Sequence, residues 1–132
     1  MEVPPPPAGF EFVLLLESGM GTDQHGQSLT KACVRACKDA ISFNSVPNLA
    51  RLVPADRGGI KLRVQLAVPF EGDSAPHVDM DQIRKQFVYG HIVEPIELVP
   101  GGAHFGSMCA VPSLGDVSDS WVFAIALVTV GY

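Results

Sequence analysis

The sequence predicts an α+β domain whose order strand, helix, strand, helix, strand, strand makes one mixed sheet of about four strands, covered on one face by two helices. Three observations carry this prediction. An apolar run near the N-terminus leads through a glycine-rich segment into an amphipathic helical repeat. A central stretch alternates strictly between apolar and polar residues. The C-terminal dozen residues are apolar on both faces, as in a strand at the centre of a sheet.

Taken in order, Phe10 to Leu16 reads as the first strand, and Glu17 and Ser18 lead it into a turn at Gly19 to Gly26. Ser28 stands as an N-cap. After it, Leu29, Ala32, Cys33, Ala36, Cys37 and Ala40 recur at helical spacing, with Lys31, Arg35 and Lys38 as a basic line on the other side. Asn44 to Gly59 has prolines and glycines but no period and reads as a connection. Ile60, Leu62, Val64, Leu66 and Val68 alternate with Lys61, Arg63, Gln65 and Ala67, the period of a strand with one buried face. Asp79 followed by Gln82 predicts a capping box for a short helix through Phe87, with Ile83 and Phe87 facing inward. Ile92 to Val99 reads as a third strand that Pro95 pushes toward an edge or a bulge. Gly101 to Asp119 reads as a long functional loop, and Trp121 to Tyr132 as the last strand.

The 132 residues fit one domain over residues 10–132, behind a disordered proline-rich tail at residues 1–9. With 47% hydrophobic and 17% charged residues, the chain is more apolar than an average domain, which predicts burial of part of its surface between subunits. The net charge of −5, without a basic run, argues against nucleic acid as a partner. The apolar run Trp121 to Val130 is half the length of a membrane span, so no membrane partner is expected. Three cysteines without disulfide-like spacing, and no secretion-signal pattern, predict a reducing, cytoplasmic setting. A plant or algal source would make that the plastid stroma.

The chemically loaded segment is Gly19 to Gly26. Glycines between a strand and a helix start can bring backbone amides and the helix's positive end to an anion, while Asp23 and His25 add a charge and a titratable ring. Gly19, Gly21 and Gly26 are spaced two residues too far for a dinucleotide fingerprint. Asp23 and His25 are acceptable ligands for a divalent metal, but they need further ligands such as His77, His91, His104 or Asp116, and nothing in the sequence requires a cofactor. The plainer alternative is a tight turn in which Asp23 bonds local amides.

The eight residues match the pattern GxGxDxHG of a small uncharacterised family first catalogued as a hypothetical protein in Listeria and found in bacteria, cyanobacteria and plants. Gln27 to Ile41, Asn44-Ser45-Val46-Pro47 and Pro112-Ser113-Leu114-Gly115-Asp116 also resemble that family. The resemblance spans Phe10 to Tyr132 and implies that Asp23 and His25 are functional, without implying a reaction. By topology alone the order of elements also resembles the repeat unit of ring-opening amidohydrolases and, more loosely, trimeric chorismate-mutase-type and RidA-type folds. Such assemblies place their pockets between subunits, and on that likeness Ser107 and Lys31 would echo a Ser and Lys pair. The residues themselves favour a loop serine bonded to backbone and a solvated lysine that contacts an anion rather than acting as a base. His104 likewise reads as a solvated loop histidine.

The expectation is therefore a homo-oligomer, trimer or higher, acting as an enzyme on a small polar or anionic molecule at an intersubunit pocket. Asp23 and His25 are its catalytic candidates, and Gly19, Gly21, Gly26, Lys31, His104 and Ser107 its ligand contacts. The alternative is a non-catalytic module that captures a metal or a metabolite on the same loop.

Overall fold

The computed structural model describes residues 1–43 and 46–132, with Phe43 described by its backbone only. Asn44 and Ser45, part of the family-like stretch, lie outside the described residues. In chain order the elements are β1 (Val13–Asp23), α1 (Leu29–Phe43), β2 (Lys61–Val68), α2 (Met80–Arg84), β3 (His91–Ile92), β4 (Glu97–Pro100), β5 (Ala103–Gly106) and β6 (Ser120–Gly131). Short 3-10 turns occupy Leu49–Leu52 and Pro112–Leu114.

The last strand organises the sheet. β6 pairs antiparallel with β1 along one side and with β2 along the other. β5 pairs with β6 at Ala103 to Gly106, on the side of β2 and beyond its end, whereas β3 and β4 both run parallel to β2 on its far side. The sheet thus has six strands, not about four, standing in four ranks because two of the ranks are interrupted. The predicted strand Ile92 to Val99 is split around Pro95, which has no N–H for the ladder. The predicted loop Gly101 to Asp119 contains β5, so His104 sits on a strand.

One face of the sheet is covered by both helices. Ala32, Cys33, Ala36, Cys37 and Ala40 of α1 are fully buried against Leu62, Val64 and Leu66 of β2 and Ala124, Ala126 and Val128 of β6. These small side chains allow α1 to lie close to the sheet. α2 adds Ile83 to the same core, and its start is capped by Asp79, whose carboxylate accepts from the Asp81 N–H at 3.1 Å and from Gln82 Nε2 at 3.0 Å. The helix ends at Arg84, three residues short of the expected Phe87, and continues as single tight turns from Gln86 to Ile83 and from Phe87 to Arg84.

The largest departure from expectation is at the first strand. β1 runs through Gly19, Gly21 and Asp23 instead of stopping at Leu16, so the first half of the glycine segment is sheet and not turn. The physical reason is contact with α1. A Cβ on Gly19 would lie 2.2 Å from the Ala40 nitrogen, and one on Gly21 would lie 2.1 Å from the Ala32 carbonyl oxygen. Only glycine lets the strand pass under the helix backbone at this distance.

Among the described residues no helix covers the opposite face of the sheet. There β6 presents Trp121, Phe123, Ile125 and Leu127, and β1 presents Leu16 and Met20, in register with Thr129 and Ile125. Leu16, Met20, Ile125 and Phe105 are 60%, 55%, 46% and 58% exposed, so an apolar stripe faces outward over β1, β6 and β5. Over β2 the same face is polar, with Lys61, Arg63 and Gln65, and Arg63 pairs with Glu97 of β4 at 3.1 Å. No helix among the described residues is long and apolar enough to cross a membrane.

Candidate functional site

Asp23, the last residue of β1, is 3% exposed and lies at the start of α1. Its Oδ2 accepts from the Ser28 N–H at 2.7 Å and its Oδ1 from Arg35 Nη1 at 3.0 Å. Arg35 also donates to the Thr22 carbonyl at 2.6 Å. Asp23 thereby ties the end of β1 to the first two turns of α1, and its negative charge complements the helix's positive end. Ser28 acts as the predicted cap, accepting from the Lys31 N–H at its Oγ and from the Ala32 N–H at its carbonyl.

The turn proper is Gln24 to Gln27, where Gly26 at φ 89° and Gln27 at φ 48° both adopt left-handed backbone. It wraps around a carboxylate from far along the chain. Asp116, whose side chain is 1% exposed, accepts from the Val111 N–H at 2.7 Å, His25 Nδ1 at 2.9 Å, Gln27 Nε2 at 2.9 Å and the Gly26 N–H at 3.0 Å. The anion held by the glycine turn is thus the protein's own side chain. These donors, the Val111 amide and His25 foremost, hold the Asp116 carboxyl well below the usual carboxylate range. Gln27 closes the arrangement by accepting from the Val117 N–H at 3.1 Å.

An ionised Asp116 requires a proton on His25 Nδ1. In the neutral ring, Nε2 is then the acceptor, and it meets no hydrogen-bond donor among the described residues. The His25 side chain is 34% exposed. The arrangement is a histidine fixed in one tautomer by a buried carboxylate, with its second nitrogen open to the surroundings, which suits general acid and base chemistry.

The other predicted residues do not join this group. Gly19 and Gly21 lie under α1, with their backbone covered. Lys31 is exposed on α1. His104 stands in the same sheet row as Val122 and Asp23, two strands from Asp23 or about 10 Å. It lines a separate depression with Phe70 and Glu71. Ser107 Oγ lies 2.8 Å from the Asp119 carbonyl and 2.9 Å from the Cys109 carbonyl and accepts from the Cys109 N–H, which ties it to loop backbone.

The Asp23 oxygens and His25 Nδ1 are each hydrogen-bonded to other groups, and no three His, Cys, Asp or Glu among the described residues converge on a point. In the sequence Asp116 stands out only as one of several possible further ligands beside Asp23 and His25 and as the end of the family-like stretch Pro112 to Asp116, whereas the fold makes it the hydrogen-bond partner of His25.

Residues 13–130 match the family described as conserved hypothetical protein, the Lin0512 family. The crystal structure of an FtsZ-like protein of unknown function from Nostoc punctiforme is similar, with a TM-score of 0.73 and 32% identity over 90% of this chain and 93% of that one. No curated protein matches the chain.

Proposed function

The chain belongs to the Lin0512 family of conserved hypothetical proteins, and we propose that it is an enzyme in which His25, oriented by Asp116, moves protons on a small polar molecule. The Asp116–His25 pair is the observation that carries this reading: Nδ1 is bound at 2.9 Å to a buried, ionised carboxylate, and Nε2 is left open. A water or substrate hydroxyl resting on Nε2 gives up its proton there. Asp116 stabilises the imidazolium that forms, and the ring returns the proton to the departing group. Asp23 is a positioning residue, fixing the strand end from which the turn departs.

The His25 side chain is 34% exposed, which leaves its open nitrogen accessible to a site completed by a second copy. The apolar stripe over β1, β6 and β5 supports the same conclusion. An antiparallel sheet with one solvated face ordinarily alternates apolar inside and polar outside, and β6 departs from this at Trp121, Phe123, Ile125 and Leu127. A second copy of the chain, stripe against stripe, covers that surface.

Ring nitrogen NMR and an activity screen test the reading together. In the native protein the His25 resonances should show a protonated Nδ1 and a bare Nε2, and Asp116→Asn should disturb that tautomer. Screened against small esters, amides and lactams, His25→Gln should lose activity by about a hundredfold or more while retaining its fold. Full activity in a folded His25→Gln protein would sink the proposal. A purely structural role, distinct from the metal- or metabolite-capturing alternative, rests on the four bonds at Asp116, which also clasp two loops. If that clasp is the whole role, Asp116→Asn lowers the melting temperature and His25→Gln changes no ligand or activity readout.

A further inference from the structure

A second polar group is buried near the middle of β1. Glu17 is 2% exposed, on the helix-covered face of the sheet opposite Val128. With Ile41, Ser42, Val46, Leu49, Ile60 and Tyr89 it lines a cavity of about 440 Å³ at the C-terminal end of α1. That volume lies in the range of small-molecule sites.

The carboxylate is poorly compensated. Its one hydrogen bond among the described residues comes from the Tyr89 hydroxyl to Oε2 at 3.3 Å, long for an O–H donor, and no described lysine, arginine or histidine pairs with it. A buried carboxylate with one neutral donor is costly, and the core would be better served there by a neutral side chain. Burial accordingly pushes the Glu17 carboxyl above its usual range, and burial beside Glu17 pushes the Tyr89 phenol up to about 12. The end of α1 adds the negative pole of the helix, with no basic residue in its last turn to offset it.

Apart from the Ser42 and Tyr89 hydroxyls the lining is apolar, and Glu17 is its one charged residue, a combination complementary to an organic cation. We propose that this cavity binds a small primary amine, with its ammonium on the Glu17 carboxylate and its apolar body against Ile41, Leu49 and Ile60. The ammonium supplies the counter-charge that Glu17 lacks, and its charged hydrogen bond replaces the long one from Tyr89. The site is separate from His25 and does not depend on the function proposed there.

Calorimetric titration of the full chain with benzylammonium and with the neutral isostere benzyl alcohol tests this. Benzylammonium should saturate one site per chain and bind about tenfold or more tighter than the alcohol. Glu17→Gln should abolish that preference, whereas His25→Gln should bind benzylammonium as the native protein does. Equal affinity for amine and alcohol, or an undiminished preference in Glu17→Gln, would overturn the assignment. Leu49→Trp, which fills the cavity from a partly exposed wall, provides a second variant. It should block the amine, and unchanged binding there would overturn the assignment equally.

Discussion

Two buried carboxylates differ in how they are compensated, and pH separates them. Asp116 receives donors from Val111, His25, Gln27 and Gly26 and is held below the usual range, so its contribution to stability is present above that range and is lost as pH falls toward its depressed value. Glu17 is shifted the other way by burial. Its proton favours the fold, and that contribution is lost as pH rises through the raised value. Glu17→Gln should therefore melt near the native protein at about pH 4 and above it at about pH 8. Thermal melts across that range check this, and a gap that stays constant with pH would count against a desolvated Glu17. Asp23 makes a third case, with one oxygen on a backbone amide and the other on Arg35. Asp23→Asn should cost about 1–2 kcal/mol in urea unfolding, from the weakened cap and the lost ion pair.

At the scale of elements, α1 and β1 lie in close backbone contact, and glycine permits it. A methyl group at Gly21 would meet the Ala32 carbonyl and the Ala36 nitrogen, both backbone, so neither neighbour can rotate aside. Gly21→Ala should destabilise by about 3 kcal/mol or more, read from the urea midpoint, and a near-neutral effect would mean that the helix and strand are further apart than described. The cysteines of the same helix make a chemical readout. Cys33 and Cys37 are fully buried, and burial pushes both thiols up to about 12, while Cys109 is exposed. A thiol reagent at neutral pH should label Cys109 alone in the native protein and all three cysteines once it is unfolded.

For the whole molecule the open sheet face is decisive. Its apolar stripe runs along β6 and onto β1 and β5, while the part over β2 is charged and polar, so a partner seated on it is oriented by that boundary. A stable self-association needs about 800 Å² from each copy. Native mass spectrometry should find a closed oligomer, and Ile125→Glu or Met20→Glu should release folded monomers. A native protein that is monomeric at micromolar concentration would remove the second copy from the proposed site.

The sequence alone determined what depends on near neighbours. The alternation from Ile60 to Val68, the helical spacing from Leu29 to Ala40, the caps at Ser28 and Asp79 and the interruption at Pro95 all follow from local periodicity and local hydrogen bonding, and each has its counterpart in the fold. The eight residues Gly19 to Gly26 stood out as chemically loaded, yet their division into a strand half and a turn half was not legible. That division depends on how closely α1 lies over β1, a distance set by the small residues of Ala32 to Ala40 in three dimensions. The pairing of His25 with Asp116, 91 residues away, was likewise decided by tertiary structure alone. It exists because β6 runs alongside β1 and brings the loop before it to the turn after Asp23. A hydrogen bond across such a register leaves no periodic trace in the chain.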